Sequence, residues 1–80
     1  MEETIRNVLA EYAKLPVDAA GIDADADLYT LGLTSHASVN VMLGLEDAFD
    51  VEFPDALLRK ETFQSVTTIS EALRGLVGES

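Results

Sequence analysis

The sequence predicts an all-α fold, a four-helix bundle of three long helices and one short one, with a long loop between helices 1 and 2. Apolar residues recur at helical spacing in three separate stretches, and nowhere do apolar and polar residues alternate as in a half-buried strand. A third observation sets the topology: residues 15–34 turn to Pro, Gly and alternating Asp and Ala, where no regular element fits.

The first helix is carried by Ile5, Val8, Leu9 and Tyr12 over residues 2–14, and Pro16 stops it. The following segment keeps apolar anchors at Val17, Ile22, Leu28, Tyr29, Leu31 and Leu33. A connection of about 20 residues is uncommon in so small a domain and usually functional, and these anchors imply that it packs across the helices. The second helix is expected over residues 35–50. At roughly 100° per residue, Ser38, Val41, Met42, Leu45, Ala48 and Phe49 form its core stripe, whereas Ser35, His36, Val39, Leu43, Glu46, Asp47 and Asp50 fall on another side. That second face mixes apolar residues with acids, a combination suited to docking. Pro54 and a capping Asp55 open a short helix through Arg59. Val66, Ile69, Leu73 and Val77, with Ala72 and Leu76 beside them, form the last helix, entered through Ser65 and ended near Gly78.

The 80 residues are read as one domain spanning 1–80. Such a chain buries about 60% of its unfolded surface, so walls for a closed catalytic cleft would consume residues needed for folding, and an enzyme is not expected. The absence of cysteine leaves the fold to apolar packing. The net charge of −10, with Arg6, Lys14, Arg59, Lys60 and Arg74 dispersed apart from one adjacent pair, argues against nucleic acid as a partner. It suits proteins with basic docking patches as partners, or else serves only to keep the domain soluble. No stretch approaches the ~20 apolar residues of a membrane span, and the amino terminus lacks the features of a secretory signal. A cytoplasmic monomer is the expectation.

The chemistry concentrates in Leu31-Gly32-Leu33-Thr34-Ser35-His36, which puts a serine at the first turn of the second helix. Unpaired N–H groups and the positive end of the helix dipole favour a phosphate ester on Ser35 Oγ, although a serine there also serves as a plain N-cap. A Ser35–His36 catalytic pair is a poor fit, since adjacent helical residues diverge by roughly 100° and no nucleophile-elbow pattern surrounds the serine. His36 is instead read as a partner-facing or solvent-facing residue. Asp23, Asp25 and Asp27 resemble the opening of a calcium loop, but Leu28 stands where its turn glycine belongs and Thr34 where its bidentate acid belongs, so no metal site is expected. Leu57, Leu58 and Phe63 suit either the mouth of a binding site or core filling.

Asp27-Leu28-Tyr29-Thr30-Leu31-Gly32-Leu33-Thr34-Ser35, followed by Leu45-Glu46-Asp47-Ala48-Phe49-Asp50 and Pro54-Asp55, resembles the acyl carrier protein family over nearly the whole chain. The resemblance implies 4'-phosphopantetheine, derived from coenzyme A, on Ser35, and a docking face of His36, Val39, Leu43, Glu46 and Asp47. It implies three partners: a phosphopantetheinyl transferase, an acyl or amino acid:carrier protein ligase, and a downstream acyl-accepting enzyme. The cargo would be held as a thioester. Thr34-Ser35-His36 departs from the family's usual Asp-Ser-Leu, Asn40 replaces an acid, and Arg59 and Lys60 stand where acids are common. The run Thr34-Ser35-His36-Ala37-Ser38-Val39 resembles the free-standing aminoacyl carrier proteins, whose cargo is an amino acid loaded by a synthetase-like ligase. The alternatives are an acyl carrier for fatty acid or polyketide synthesis and, from another class, an unmodified acidic helical interaction module.

Overall fold

The computed structural model describes residues 1–78, which hold helices and turns and no strand. Three α-helices carry the architecture: α1 (Glu2–Val8), α2 (Ser35–Phe49) and α3 (Val66–Leu76). The helix expected over residues 2–14 changes character midway, because α1 runs without a break into a π-helical turn, Leu9–Ala13. Lys14 then takes the left-handed conformation (φ 52°) and ends the run two residues before Pro16. The short helix expected from Asp55 to Arg59 is instead a pair of 3-10 turns, Asp55–Leu57 and Lys60–Phe63. Neither turn is long enough to bury a stripe of its own. The second anchors itself through Phe63, whose ring centroid lies 5.5 Å from that of Phe53.

Ile5, Leu9, Leu28, Leu45, Ile69 and Leu73 are wholly buried at the centre. Each withdrawn side chain contributes about 1.5–3 kcal/mol of hydrophobic stabilisation. On α2 the buried set is Val41, Gly44 and Leu45, while Ala48, expected in the core stripe, is exposed one turn beyond Gly44. Gly44 marks the crossing with the first helix. A Cβ built there would lie 2.6 Å from Tyr12 Cε2 and 3.0 Å from Val8 Cγ1. α3 begins with a reciprocal cap, in which Ser65 Oγ accepts from the Thr68 N–H and Thr68 Oγ1 accepts from the Ser65 N–H.

The connector between α1 and α2 includes one 3-10 turn, Ala19–Gly21, and of its expected anchors Val17 is exposed instead of buried. Ala19, Ile22, Leu28 and Leu33 enter the core. The Leu28 N–H donates to Gln64 O (2.7 Å), the Thr67 N–H donates to Ala24 O (3.0 Å), and the Thr67 hydroxyl donates to Asp25 (2.8 Å). Its earlier part is clasped by Arg6, whose guanidinium donates to Ala19 O (2.9 Å) and Ile22 O while pairing with Glu2 (2.9 Å). The connector is thereby held from Ala19 to Leu28, which limits where its last residues deliver the chain to the head of α2.

Candidate functional site

Local chemistry turns the chain sharply before α2. Asp27 Oδ1 accepts from the Tyr29 N–H (2.9 Å) and the Thr30 N–H (3.4 Å), closing the turn that this aspartate begins. Gly32 follows at φ 121°, a backbone region open in practice only to glycine, with Pro16 Cδ 3.2 Å from where a Cβ would stand. Leu33 is then buried and its N–H donates to Leu28 O (2.9 Å).

Thr34 next adopts extended geometry, and its Oγ1 accepts from the Ala37 N–H at 3.0 Å. Thr34 is therefore the N-cap of α2, and the reading of Ser35 as a plain cap does not hold. Ser35 is the first helical residue and is exposed, with its hydroxyl released from capping duty. Threonine satisfies this helix end without adding a charge beside Ser35.

Beside Ser35 lies an open groove of about 420 Å³. α2 contributes Ser35, Ser38, Val39 and Met42; the 3-10 pair and the bend between its turns contribute Leu58, Arg59, Lys60 and Phe63; and the connector contributes Tyr29. Phe63 is a buried floor and Leu58 stands open at the side (48% exposed), so these two divide between packing and lining, while Leu57 packs against the core. The Tyr29 hydroxyl donates to Lys60 O (3.1 Å), and the Lys60 ammonium sits 5.0 Å from the centre of the Tyr29 ring. Burial raises the Tyr29 phenol above its ordinary value near 10.0; the Ser38 hydroxyl opposes that rise, and the Asp27 and Glu61 carboxylates add to it.

The expected docking residues separate into two kinds. His36, Val39, Leu43 and Asp47 are exposed on α2, Val39 and Leu43 each by more than half (52% and 53%). Glu46 is half-buried, and its carboxylate accepts from the Phe53 N–H at 2.8 Å. It therefore holds the chain that leaves α2, a role that its place among other acids gave no sign of. The acidic connector residues are likewise structural: Asp23 accepts from the Asp25 N–H and Asp25 from Thr67. No cluster of three metal-ligating side chains forms among the described residues.

An exposed hydroxyl at the start of a helix, opening onto an apolar groove with two cations on its wall, suits covalent attachment of an anionic ester followed by a flexible chain. Residues 3–74 match the family described as "Phosphopantetheine attachment site". An aminoacyl carrier protein of Agrobacterium fabrum is 47% identical over 74 residues, covering 92% of this chain and 89% of the relative. Among solved structures, this chain resembles one in the crystal structure of an engineered Bradyrhizobium japonicum glycine:carrier protein ligase complexed with a carrier protein from Agrobacterium tumefaciens and AMP, with a TM-score of 0.90, 47% identity, and coverage of 92% of this chain and 99% of that one. It also resembles a chain in the structure of the Bradyrhizobium japonicum ligase complexed with glycylated carrier protein, with a TM-score of 0.75, 35% identity, and coverage of 89% and 95%. The chain belongs to the phosphopantetheine attachment family and, within it, to the aminoacyl carrier proteins.

Proposed function

We propose that this single-domain chain carries 4'-phosphopantetheine on Ser35 and presents a small amino acid to partner enzymes without performing catalysis itself. The observation that carries this reading is the division of labour at the head of α2: Thr34 caps the helix, and the exposed Ser35 Oγ is left to react beside the groove. On the sequence pattern, three α-helices with the 3-10 pair in place of a short fourth helix are read as the carrier's bundle.

Modification begins with a transferase abstracting the Ser35 hydroxyl proton. Oγ forms a bond to the phosphorus of coenzyme A that lies nearest pantetheine, the phosphoanhydride bond breaks, and adenosine 3',5'-bisphosphate leaves. Once bound, the arm supplies a terminal thiol able to hold an amino acid as a reactive thioester. This chain supplies position. The connector and Gly32 aim Ser35 outward, and tethering there raises the local concentration of cargo at a docked partner. His36, Val39, Leu43 and Asp47 offer a small face below the attachment point, suited to reversible contact with successive partners. Its single sign of charge favours basic partner surfaces, and the cytoplasm is the setting we infer for the monomer. No helix among the described residues is long and apolar enough to cross a membrane.

Relatives of this chain occur in complexes with a glycine:carrier protein ligase, which supports an amino acid as cargo and a ligase of that kind as the loading partner. Loading separates this reading from fatty acid or polyketide carriage. Holo protein is incubated with ATP, the glycine ligase and either glycine or other amino acids, or with an acyl ligase and fatty acids, and intact masses are recorded. A hydroxylamine-labile aminoacyl adduct is expected; exclusive loading by fatty acids would overturn the aminoacyl assignment.

A further inference from the structure

The distribution of positive charge in this acidic chain points to one place. Arg6 is committed to Glu2 and the connector, and Lys14 and Arg74 stand on other elements. The adjacent pair, Arg59 and Lys60, lines the groove that also contains Ser35, and no acidic side chain lines that groove among the described residues. Lys60 is held in position twice, by its ammonium over the Tyr29 ring and by its carbonyl accepting from the Tyr29 hydroxyl. Tyr29 is itself fixed through its N–H to Asp27. The competing carboxylate is Glu61, 3.7 Å from Arg59 Nε, and both of those side chains are largely exposed. An ion pair so placed contributes little and leaves Arg59 available.

A phosphodiester on Ser35 adds a negative charge to a chain already at −10. Set against a wall of carboxylates it would lower stability by repulsion; set against two cations it is drawn to them. We propose that Arg59 and Lys60 hold the phosphodiester formed at Ser35, so that modification ties the 3-10 pair to the head of α2. The inference rests on the reading of Ser35 as the attachment point. It also gives a physical reason for a basic pair at a position where acids are common: these residues serve the arm's anion instead of extending the acidic docking surface.

The test compares thermal midpoints of apo and holo protein for the wild type and for Arg59→Gln/Lys60→Gln, at about 0.01 M and about 1 M salt, where screening lengths are ~30 Å and ~3 Å. Both side chains are exposed, so the apo variant should retain the wild-type circular dichroism spectrum, and the single variants Arg59→Gln and Lys60→Gln serve as independent checks. Intact mass, with Ser35→Ala as control, first establishes one arm on Ser35. At low salt, conversion to the holo form should raise the wild-type midpoint by about 2–4 °C, the scale of exposed charge contacts in a domain this small. The gain should vanish in 1 M salt and in the double variant, with each single variant keeping about half. Lack of an arm on Ser35 would overturn both the attachment reading and this inference. An arm on Ser35 with the same apo-to-holo change in wild type and double variant would overturn the inference alone.

Discussion

Replacing Arg6 with methionine removes the clasp on the connector while keeping a side chain of similar length and apolar stem. Arg6 donates to Ala19 O at 2.9 Å and to Ile22 O, and both acceptor residues are buried. Each hydrogen bond from a charged group contributes about 1.5–3 kcal/mol when its acceptor cannot turn to water. The side chain keeps some solvent contact, at 16% exposure, so the lower end of that range applies to each of the two bonds. The Glu2 pair adds only about 0.3–0.5 kcal/mol, because Glu2 is more than half exposed. Arg6→Met should therefore cost about 3 kcal/mol, with Arg6→Lys recovering part of the loss and Glu2→Gln costing less than about 0.5 kcal/mol. Urea denaturation followed by circular dichroism at fixed pH and salt reads these differences directly. An Arg6→Met variant within about 0.5 kcal/mol of wild type would show that the contacts to the connector carry no net stability, and the account of how Ser35 is positioned would lose one of its supports.

Two glycine substitutions should act in opposite directions. Gly44→Ala drives a Cβ to 2.6 Å from the Tyr12 ring, and overpacking of about 1–3 kcal/mol should outweigh the ~1 kcal/mol gained in helix propensity. Gly75→Ala meets nothing within 4 Å and should stabilise α3 by up to about 1 kcal/mol; thermal midpoints moving the same way would refute the packing argument. Glu46→Ala should destabilise by about 1.5–3 kcal/mol by orphaning the Phe53 N–H, whereas Asp47→Ala should leave the denaturation curve within about 0.5 kcal/mol of wild type. Asp47→Lys or Leu43→Asp should lower kcat/KM for ligase loading about 5- to 30-fold with folding intact, since both side chains are exposed; unchanged loading would remove them from the docking face. The raised Tyr29 phenol means that the unfolded chain loses this proton first, so the Tyr29 contribution to stability is intact below pH 10 and declines as the pH rises through the folded-state value. Chemical denaturation at pH 9 and 11 should show a smaller decline for Tyr29→Phe than for wild type, and equal declines would contradict the assignment.

Periodicity made the three main helices legible, because a buried stripe must repeat with the helical turn whatever it packs against. The start of α2 was legible for a different reason, since a stretch of Pro, Gly and Asp gives way to an apolar helical repeat at residue 35, whereas the turn closed by Asp27 and the positive φ of Gly32 emerged only with the structure. Thr34 as the true cap was within reach of the same reasoning, since threonine is a good cap and stands one residue ahead of Ser35. Gly44 also left a signal, as glycine inside an apolar helical pattern often marks a close approach. Nothing periodic announced Arg6 or Glu46. Their partners are backbone groups 13 and 16 residues from Arg6 and 7 from Glu46, made available by the path of the chain. The 3-10 pair escaped because Leu57 and Leu58 adjoin each other, and a run this short does not distinguish a helical turn from its tighter relative.

The most direct measurement is the intact mass of wild type and Ser35→Ala after incubation with coenzyme A and a broad-specificity phosphopantetheinyl transferase. Wild type should gain a single phosphopantetheine and Ser35→Ala none. An unmodified wild type, or an arm that persists on the alanine variant, would contradict the claim that the head of α2 is built to free this serine for attachment.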